Sequence, residues 1–147
     1  TDSDMETVRV RENIVTVKAF VVRDGRLLCI QNDKGRWDVP GGRIDCPEPI
    51  FDALRREIRE ELGVEIASID ADHPWVWDWQ FESKTRPLTQ NIVGIGWPCT
   101  LASDDIRPDP VENVAHAWCT ATEIRSLSMH EGHRVGYLRW MELRGLT

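Results

Sequence analysis

Three glutamates, Glu57, Glu60 and Glu61, lie close together in a stretch whose apolar residues recur with helical spacing. At about 3.6 residues per turn, positions i, i+3 and i+4 fall on one side of an α-helix, so the three carboxylates are expected to point the same way. This cluster suits a hard cation, because Mg²⁺ and Mn²⁺ prefer oxygen ligands and are commonly held by carboxylates and substrate phosphates. The alternative is an ordinary solvated acidic face.

The predicted helix also carries an apolar stripe, on a second side, that would dock it on a core. Proline is tolerated in a first helical turn and glycine is a good C-cap, so we expect the helix to begin near Pro47 to Pro49 and to end at Gly63. The stripe consists of Ile50, Phe51, Leu54, Ile58 and Leu62.

The residues around the glutamates complete a longer pattern, G-x5-E-x7-R-E-U-x-E-E-x-G-U, in which U is aliphatic. Every fixed position of this pattern is filled, by Gly42, Glu48, Arg56, Glu57, Ile58, Glu60, Glu61, Gly63 and Val64. The stretch resembles the signature of the Nudix hydrolases, and it is far more specific than a lone glycine motif.

The resemblance implies a fold and a metal site. The implied fold class is α+β, a Nudix-type α/β/α sandwich with a mixed central sheet, which agrees with the predicted order of strands and helices. The implied ligands of Mg²⁺ or Mn²⁺ are Glu57, Glu60 and Glu61, joined by the carbonyl of Gly41. Arg56 is implied to hold and orient the glutamates, since a guanidinium fork grips carboxylates well.

The catalytic base is not fixed by the signature. Glu57 is one candidate. Many Nudix hydrolases draw a further glutamate from the segment before a Trp-containing strand, for the base or for another metal contact. Residues 114–119, with Trp118, look like that strand, which makes Glu112 the second candidate. An ordinary loop acid is the alternative at this position.

Four aromatic residues share one face of another predicted strand. They are Trp75, Trp77, Trp79 and Phe81. A nucleobase could stack on Trp77 or Trp79, and core or dimer-interface packing is the alternative. The following polar loop, 82–90, carries Lys84 and Arg86, which could meet phosphate charge or simply be solvated.

A terminal helix is predicted over 129–143. Its expected buried stripe is Val135, Leu138 and either Met141 or Leu143. His130 and His133 lie near its start, and they suit either a transition-metal site or a surface or pocket-edge role.

Length and charge narrow the function classes. The 147 residues predict a single domain over 14–147, preceded by a loose arm over 1–13. A net charge of −7 disfavours long nucleic acids and anionic membranes as ligands, and no apolar run is long enough to span a membrane.

The four cysteines, Cys29, Cys46, Cys99 and Cys119, form no CxxC pair, so a reducing cytoplasm is expected. Seven tryptophans suggest a possible homodimer.

The resulting prediction is a metal-dependent pyrophosphohydrolase that cleaves a nucleoside diphosphate linked to another moiety. A small phosphorylated nucleotide, such as a nucleoside triphosphate, nucleotide sugar or dinucleoside polyphosphate, is the expected substrate. Two alternatives stay open: a catalytically inactive nucleotide-sensing domain of the same fold, and an isoprenoid diphosphate isomerase, which would need a catalytic cysteine in its pocket.

Overall fold

The structure, a computed structural model, describes residues 8–147 and every side chain within them except that of Val114. The strands of the described chain are β1 (Val10–Phe20), β2 (Val22–Arg23), β3 (Arg26–Asn32), β4 (Trp37–Asp38), β5 (Gly41–Arg43), β6 (Ile66–Ile69), β7 (Trp75–Glu82), β8 (Leu88–Leu101) and β9 (Asn113–Cys119). The helices are α1 (Ile50–Leu62), α2 (Ala121–Ser126) and α3 (Glu131–Leu143).

The larger of two sheets is mixed. β1 and β8 pair in parallel from Val10 opposite Leu88 to Phe20 opposite Pro98. β5 lies antiparallel on the other side of β1, whereas β6 and β7 both pair antiparallel with β8. In the smaller sheet, β3 pairs antiparallel with β2, β4 and β9. The turn between β2 and β3 is made by Asp24 and Gly25, both at positive φ, as expected for an Asp-Gly hairpin.

Two buried clusters lie on opposite faces of the larger sheet. The first packs α1, through Leu54, Ile58 and Leu62, against β1 and β8. The second packs α2 and α3 against the other face, around Phe20 and Trp77. Because side chains alternate along a strand, neighbouring residues of β1 feed different clusters. This layering confirms the predicted α+β Nudix-type sandwich with a mixed sheet.

Helix α1 follows its predicted bounds closely. Pro49 is the N-cap, and Gly63 ends the helix in the left-handed conformation, with its N–H bonded to the Arg59 carbonyl at 3.0 Å. The predicted apolar stripe is only partly buried, since Ile50 and Phe51 are exposed. Phe51 makes an edge contact with Trp97, whereas Ala53, which the prediction omitted, is fully buried.

The buried side of α3 agrees with the predicted stripe only in part. Met141 is buried and Leu138 packs against the core, as predicted, whereas Val135 and Leu143 are exposed. The prediction omitted Gly136, Tyr137 and Trp140, because this interface also consists of aromatic rings lying against glycines. The indole of Trp77 fits between two of them, so that a Cβ at Gly136 would be 2.5 Å from its Cγ and a Cβ at Gly94 would be 2.2 Å from its Cε2.

We therefore expect Gly136→Ala to destabilise the protein. Helix propensity alone would make alanine more favourable than glycine by about 1 kcal/mol. The added methyl group has no space against Trp77, however, and overpacking of this kind costs about 1–3 kcal/mol. A lower midpoint of urea unfolding than wild type checks the sign, and a raised midpoint would contradict the packing described here.

Three further predictions concern the N-terminal arm, a homodimer and membrane-spanning segments. Residues 10–13 of the predicted N-terminal arm belong to β1, and residues 1–7 lie outside the described residues. Three of the seven tryptophans are buried and four are partly exposed, and the possible homodimer stays a prediction. A search of the described helices for a long apolar segment that could cross a membrane finds none.

Candidate active site

Arg56 is the centre of an ion-pair network at the start of α1. Its Nε donates to Glu48 Oε2 at 2.7 Å and its Nη2 to Glu48 Oε1 at 2.9 Å, which makes a bidentate pair. Its Nη1 donates to Glu57 Oε1 at 3.0 Å and to Glu60 Oε2 at 3.3 Å. The hydrogen bond from Arg56 lowers the pKa of Glu48. Its Nη2 also pairs with Asp45 Oδ2 at 3.3 Å, so one guanidinium contacts four carboxylates, in the manner that the resemblance implied for this arginine.

The carboxylate of Glu57 lies directly against the backbone of Gly42. A Cβ at Gly42 would be only 2.5 Å from Glu57 Cδ, so any larger residue would displace the carboxylate. Burial raises the pKa of Glu57, although the charge of Arg56 opposes this effect. The motif glycine and the motif glutamate are therefore adjacent in space as well as paired in sequence.

Glu61 is the most buried of the three glutamates. Its Oε1 accepts a hydrogen bond from the Gly41 N–H at 2.8 Å. Burial raises the pKa of Glu61 to about 8, against the opposing influence of Lys18 and of the Gly41 hydrogen bond. A carboxyl group with so few compensating donors favours a cation as a partner.

The backbone polar groups of Gly41 face away from β1. It pairs with Lys18, while Pro40 on one side and Ile44 on the other bond β1 through Ala19 and Val15. In an antiparallel ladder this alternation directs the N–H and carbonyl of Gly41 away from β1, toward the side where Glu61 lies. Its φ of +145° and a Cβ that would lie 1.9 Å from the Val17 carbonyl oxygen exclude other residues.

The three glutamates are chemically suitable ligands for a hard cation, but their carboxylates are not arranged in a coordination geometry. Glu57 and Glu61 are partly buried oxygen donors. Besides burial, the charge of Glu60 raises the pKa of Glu57, and the charge of Glu57 raises the pKa of Glu61. Glu60 is more exposed, at 56% of its side chain. Among the residues that the structure describes, no group of three or more His, Cys, Asp or Glu side chains is already assembled in metal-binding geometry.

A second charged network, which the sequence prediction missed, adjoins Glu61. The buried Lys18 donates through Nζ to Asp38 Oδ2 at 3.1 Å and to the Val39 carbonyl at 3.0 Å. The hydroxyl of the buried Tyr137 donates to Asp38 Oδ1. Burial would raise the pKa of Asp38, but the charge of Lys18 and these hydrogen bonds lower it overall. A lysine within the apolar run of β1 was the signal that could have revealed it.

The two histidines of α3 lie beside this network. His133 Nδ1 accepts from Trp77 Nε1 at 3.2 Å, and burial lowers the pKa of His133 to about 4, so its ring is neutral at pH 7. His130 caps α3 by accepting from the Gly132 N–H at 3.1 Å, and its ring stacks on Trp79 at 3.8 Å. The histidines therefore take the pocket-edge role that the sequence left open.

Two cavities meet at Asp38. The first, which we call the cleft, has a volume of about 280 Å³ and includes Lys18, Gly41, Gly42, Trp79 and His133 among its lining residues. The second, of about 190 Å³, is bounded by Arg36, Glu61, Asn113 and His130, among others. Of the three glutamates, Glu61 lines the second cavity and Glu57 lies against Gly42 of the cleft, whereas Glu60 lines neither.

The other predicted site residues are not all brought together. Trp79 lines the cleft, whereas Trp77 is buried behind it against α3. Glu112 is exposed in the turn before β9 and lines neither cavity, although the adjacent Asn113 does. Lys84 and Arg86 are exposed on the β7–β8 loop, and neither borders the two cavities.

Comparison with known proteins agrees with this geometry. A family model described as NUDIX domain matches residues 12–141. The chain is 32% identical over 108 residues to nucleoside triphosphatase NudI of Enterobacter sp. (strain 638), covering 70% of this chain and 74% of that protein. It is 29% identical to nucleoside triphosphatase NudI of Escherichia coli O81 (strain ED1a), covering 86% of this chain and 93% of that protein.

Solved structures show the same fold. The MutT NUDIX hydrolase of Burkholderia pseudomallei superposes with a TM-score of 0.67 at 25% identity, over 86% of this chain and 96% of that one. The MutT protein of Methanosarcina mazei Go1 superposes with a TM-score of 0.68 at 19% identity, over 92% of this chain and 96% of that one. The chain belongs to the Nudix hydrolase family, enzymes that act on phosphoric anhydride bonds of nucleotides.

Proposed function

We propose that this Nudix hydrolase is a divalent-metal-dependent pyrophosphohydrolase of nucleoside triphosphates. The observation that carries the proposal is the pair of partly buried carboxylates, Glu57 and Glu61, held against Gly42 and Gly41 with raised pKa values. The triphosphate substrate class is supported by the similarity to the two NudI nucleoside triphosphatases.

The proposed ligands of Mg²⁺ or Mn²⁺ are Glu57, Glu60 and Glu61, with the carbonyl of Gly41. When bound there, the cation would neutralise phosphoryl charge and lower the pKa of a coordinated water. Arg56 keeps Glu57 and Glu60 oriented toward the same point. Glu60 would bind the cation from the solvent-exposed side of the helix.

Proton removal from the attacking water requires a carboxylate near the scissile bond. Glu57 and Glu112 are the proposed candidates. Neither acid itself lines a cavity, and the contact of Glu57 with Gly42, a lining residue of the cleft, favours Glu57. Trp79 offers a ring for the nucleobase at the cleft, whereas the proposed phosphate contacts of Lys84 and Arg86 would require movement of the exposed β7–β8 loop.

The cysteines bear on both the compartment and the rival isomerase. All four are free thiols, three buried and Cys46 exposed, which supports the proposed cytoplasmic location. Within the described chain, no cysteine lines the cleft or the cavity that adjoins it. An isomerase that relies on a pocket cysteine is therefore disfavoured.

Turnover of a nucleotide panel tests the proposal. Purified protein with Mg²⁺ would be incubated with nucleoside triphosphates, nucleotide sugars, dinucleoside polyphosphates and ADP-ribose, and the products would be separated by chromatography. We expect triphosphates to give nucleoside monophosphate and pyrophosphate. Preferred cleavage of another class would overturn the triphosphate assignment, and binding without turnover of any compound would support the nucleotide-sensing alternative.

Glu61 also predicts how pH affects the metal-free protein. In the folded state its carboxyl binds a proton up to about pH 8, whereas in the unfolded chain it ionises near its ordinary pKa of 4.5. The folded state therefore binds more protons between these values, and stability falls as pH rises through that window, by at most about 1.4 kcal/mol per pH unit.

The expected result is a melting temperature in EDTA that falls between pH 5 and pH 8, with a shallower fall in Glu61→Gln. Saturating Mn²⁺ should remove much of the decline, because the cation stabilises the ionised carboxylate. A melting temperature that rises across this range in wild type, with the same slope in Glu61→Gln, would contradict the burial of this carboxyl group.

A further inference from the structure

Lys18 is an unusual residue for the centre of a sheet. It lies on β1 between β5 and β8, is only 4% exposed, and yet lines the cleft beside Gly41 and Gly42. The absence of a side chain at Gly41 gives it room, since a Cβ there would be 2.8 Å from Lys18 Cδ. The sheet therefore delivers an ammonium group to the floor of the cleft.

Two of the three N–H donors of the Lys18 ammonium group are used within the fold. An ammonium group has three N–H donors, and Lys18 Nζ uses two of them on Asp38 Oδ2 and the Val39 carbonyl. Among the described residues no third hydrogen-bond acceptor is found for it. Asp38 is itself fixed by the Tyr137 hydroxyl and by the Val39 N–H, so the position of the ammonium is well defined.

The charge of Lys18 has two opposing effects on the proposed metal site. It counteracts the burial that raises the pKa values of Glu57 and Glu61, which favours their ionised forms, but it also repels a divalent cation bound to them. A buried Lys–Asp pair is also a weak source of stability, because desolvation offsets most of its attraction. An anionic ligand bound in the cleft would instead be attracted by the Lys18 ammonium group.

We propose that Lys18 binds a non-bridging phosphoryl oxygen of the nucleotide through its third N–H, as a substrate-binding residue of the cleft. The inference rests on the proposed triphosphate function, and it adds a phosphate contact outside the signature motif. The competing explanation is that Lys18 only neutralises Asp38 within the fold.

The two explanations differ for a double substitution. Lys18→Met/Asp38→Asn removes both charges together, so no unpaired charge remains buried, and asparagine can still accept from Tyr137. If Lys18 only neutralises Asp38, this variant should bind nucleotide as wild type does. If Lys18 contacts phosphate, the variant should fold but bind nucleotide weakly.

The experiment measures two affinities for wild type and for the double variant. The probes are an α,β-methylene nucleoside triphosphate with Mg²⁺, followed by calorimetry, and Mn²⁺ alone, followed by electron paramagnetic resonance. We expect the Kd of the analogue to rise at least tenfold and the affinity for Mn²⁺ to stay equal or increase. Lys34→Met, on an exposed turn outside both cavities, is the matched control for loss of a lysine.

An analogue Kd within twofold of wild type in the folded double variant overturns the role of Lys18. If wild type itself neither binds the analogue nor hydrolyses triphosphates, the proposed function fails as well, so the two failures are distinguishable. Should the double variant not fold, the side-chain NMR signal of Lys18 in isotopically labelled wild type replaces it. A Lys18 signal that keeps its chemical shift at saturating analogue overturns the proposal, and a shift confined to Lys18 supports it.

Discussion

Replacing Glu57 by glutamine is expected to lower kcat for triphosphate hydrolysis by about 100-fold or more, while the fold is retained. Glutamine has nearly the same shape and forms helices well, so α1 should persist. It cannot supply the negative charge that the proposed metal site needs, and it cannot accept a proton from water at neutral pH. The carboxylate of Glu57 lies against Gly42 and accepts a hydrogen bond from Arg56, and the glutamine side chain would occupy the same place.

Two variants on the same side of the fold serve as controls for this prediction. Glu60→Gln should reduce kcat less than Glu57→Gln does, since Glu60 is more exposed and its hydrogen bond from Arg56 is longer, 3.3 Å against 3.0 Å for Glu57. Glu65→Gln should leave kcat unchanged, because Glu65 lies beyond α1 and pairs with Arg59. Equal kcat values for wild type and Glu57→Gln, measured as pyrophosphate release, would remove Glu57 from the reaction.

Replacing Arg56 by lysine is expected to lower kcat/KM by about 10- to 100-fold, the range typical of residues that orient metal ligands. A lysine keeps the charge, but it cannot reproduce the bidentate pair with Glu48 while also reaching Glu57 and Glu60. The free energy of unfolding should also fall, by about 1–3 kcal/mol, because these partly buried carboxylates lose donors.

Arg59→Lys is the matched control, one turn further along the same helix. Arg59 also makes a two-contact pair, with Glu65, but that pair is exposed and Arg59 makes no hydrogen bond to any of the three glutamates of the proposed metal site. Its loss should leave kcat/KM unchanged and alter stability by less than about 1 kcal/mol. If the two arginine variants lose activity equally, the orienting role of Arg56 is wrong.

The sequence predicted α1 and its acidic face well because the pattern is local. The spacing of Glu57, Glu60 and Glu61, the proline start and the glycine end depend only on helix geometry, and the structure agrees with each. The predicted fold class is confirmed too. The site residues remain proposals that this arrangement supports.

The rest of the site depends on contacts between distant parts of the chain. The contacts of Asp38 with Lys18 and Tyr137 join β4 to β1 and α3. The local spacing of these residues in the sequence does not predict such contacts. The predicted stripe of α3 was wrong at Val135, and omitted the aromatic residues, for a related reason. Its partners are the indoles of β7, which select glycine and aromatic residues rather than the aliphatic residues that a periodicity count rewards.

Restoration of activity by Mg²⁺ tests the central claim most directly. The protein would be freed of metal with EDTA and dialysed, and pyrophosphate release from a nucleoside triphosphate would be followed as Mg²⁺ is added back to wild type and to Glu61→Gln. We predict no turnover without metal, a saturable return of wild-type activity, and a weaker response of the variant that requires more Mg²⁺. Full wild-type turnover in EDTA, or identical Mg²⁺ curves for the two proteins, would contradict a metal site built on Glu57 and Glu61.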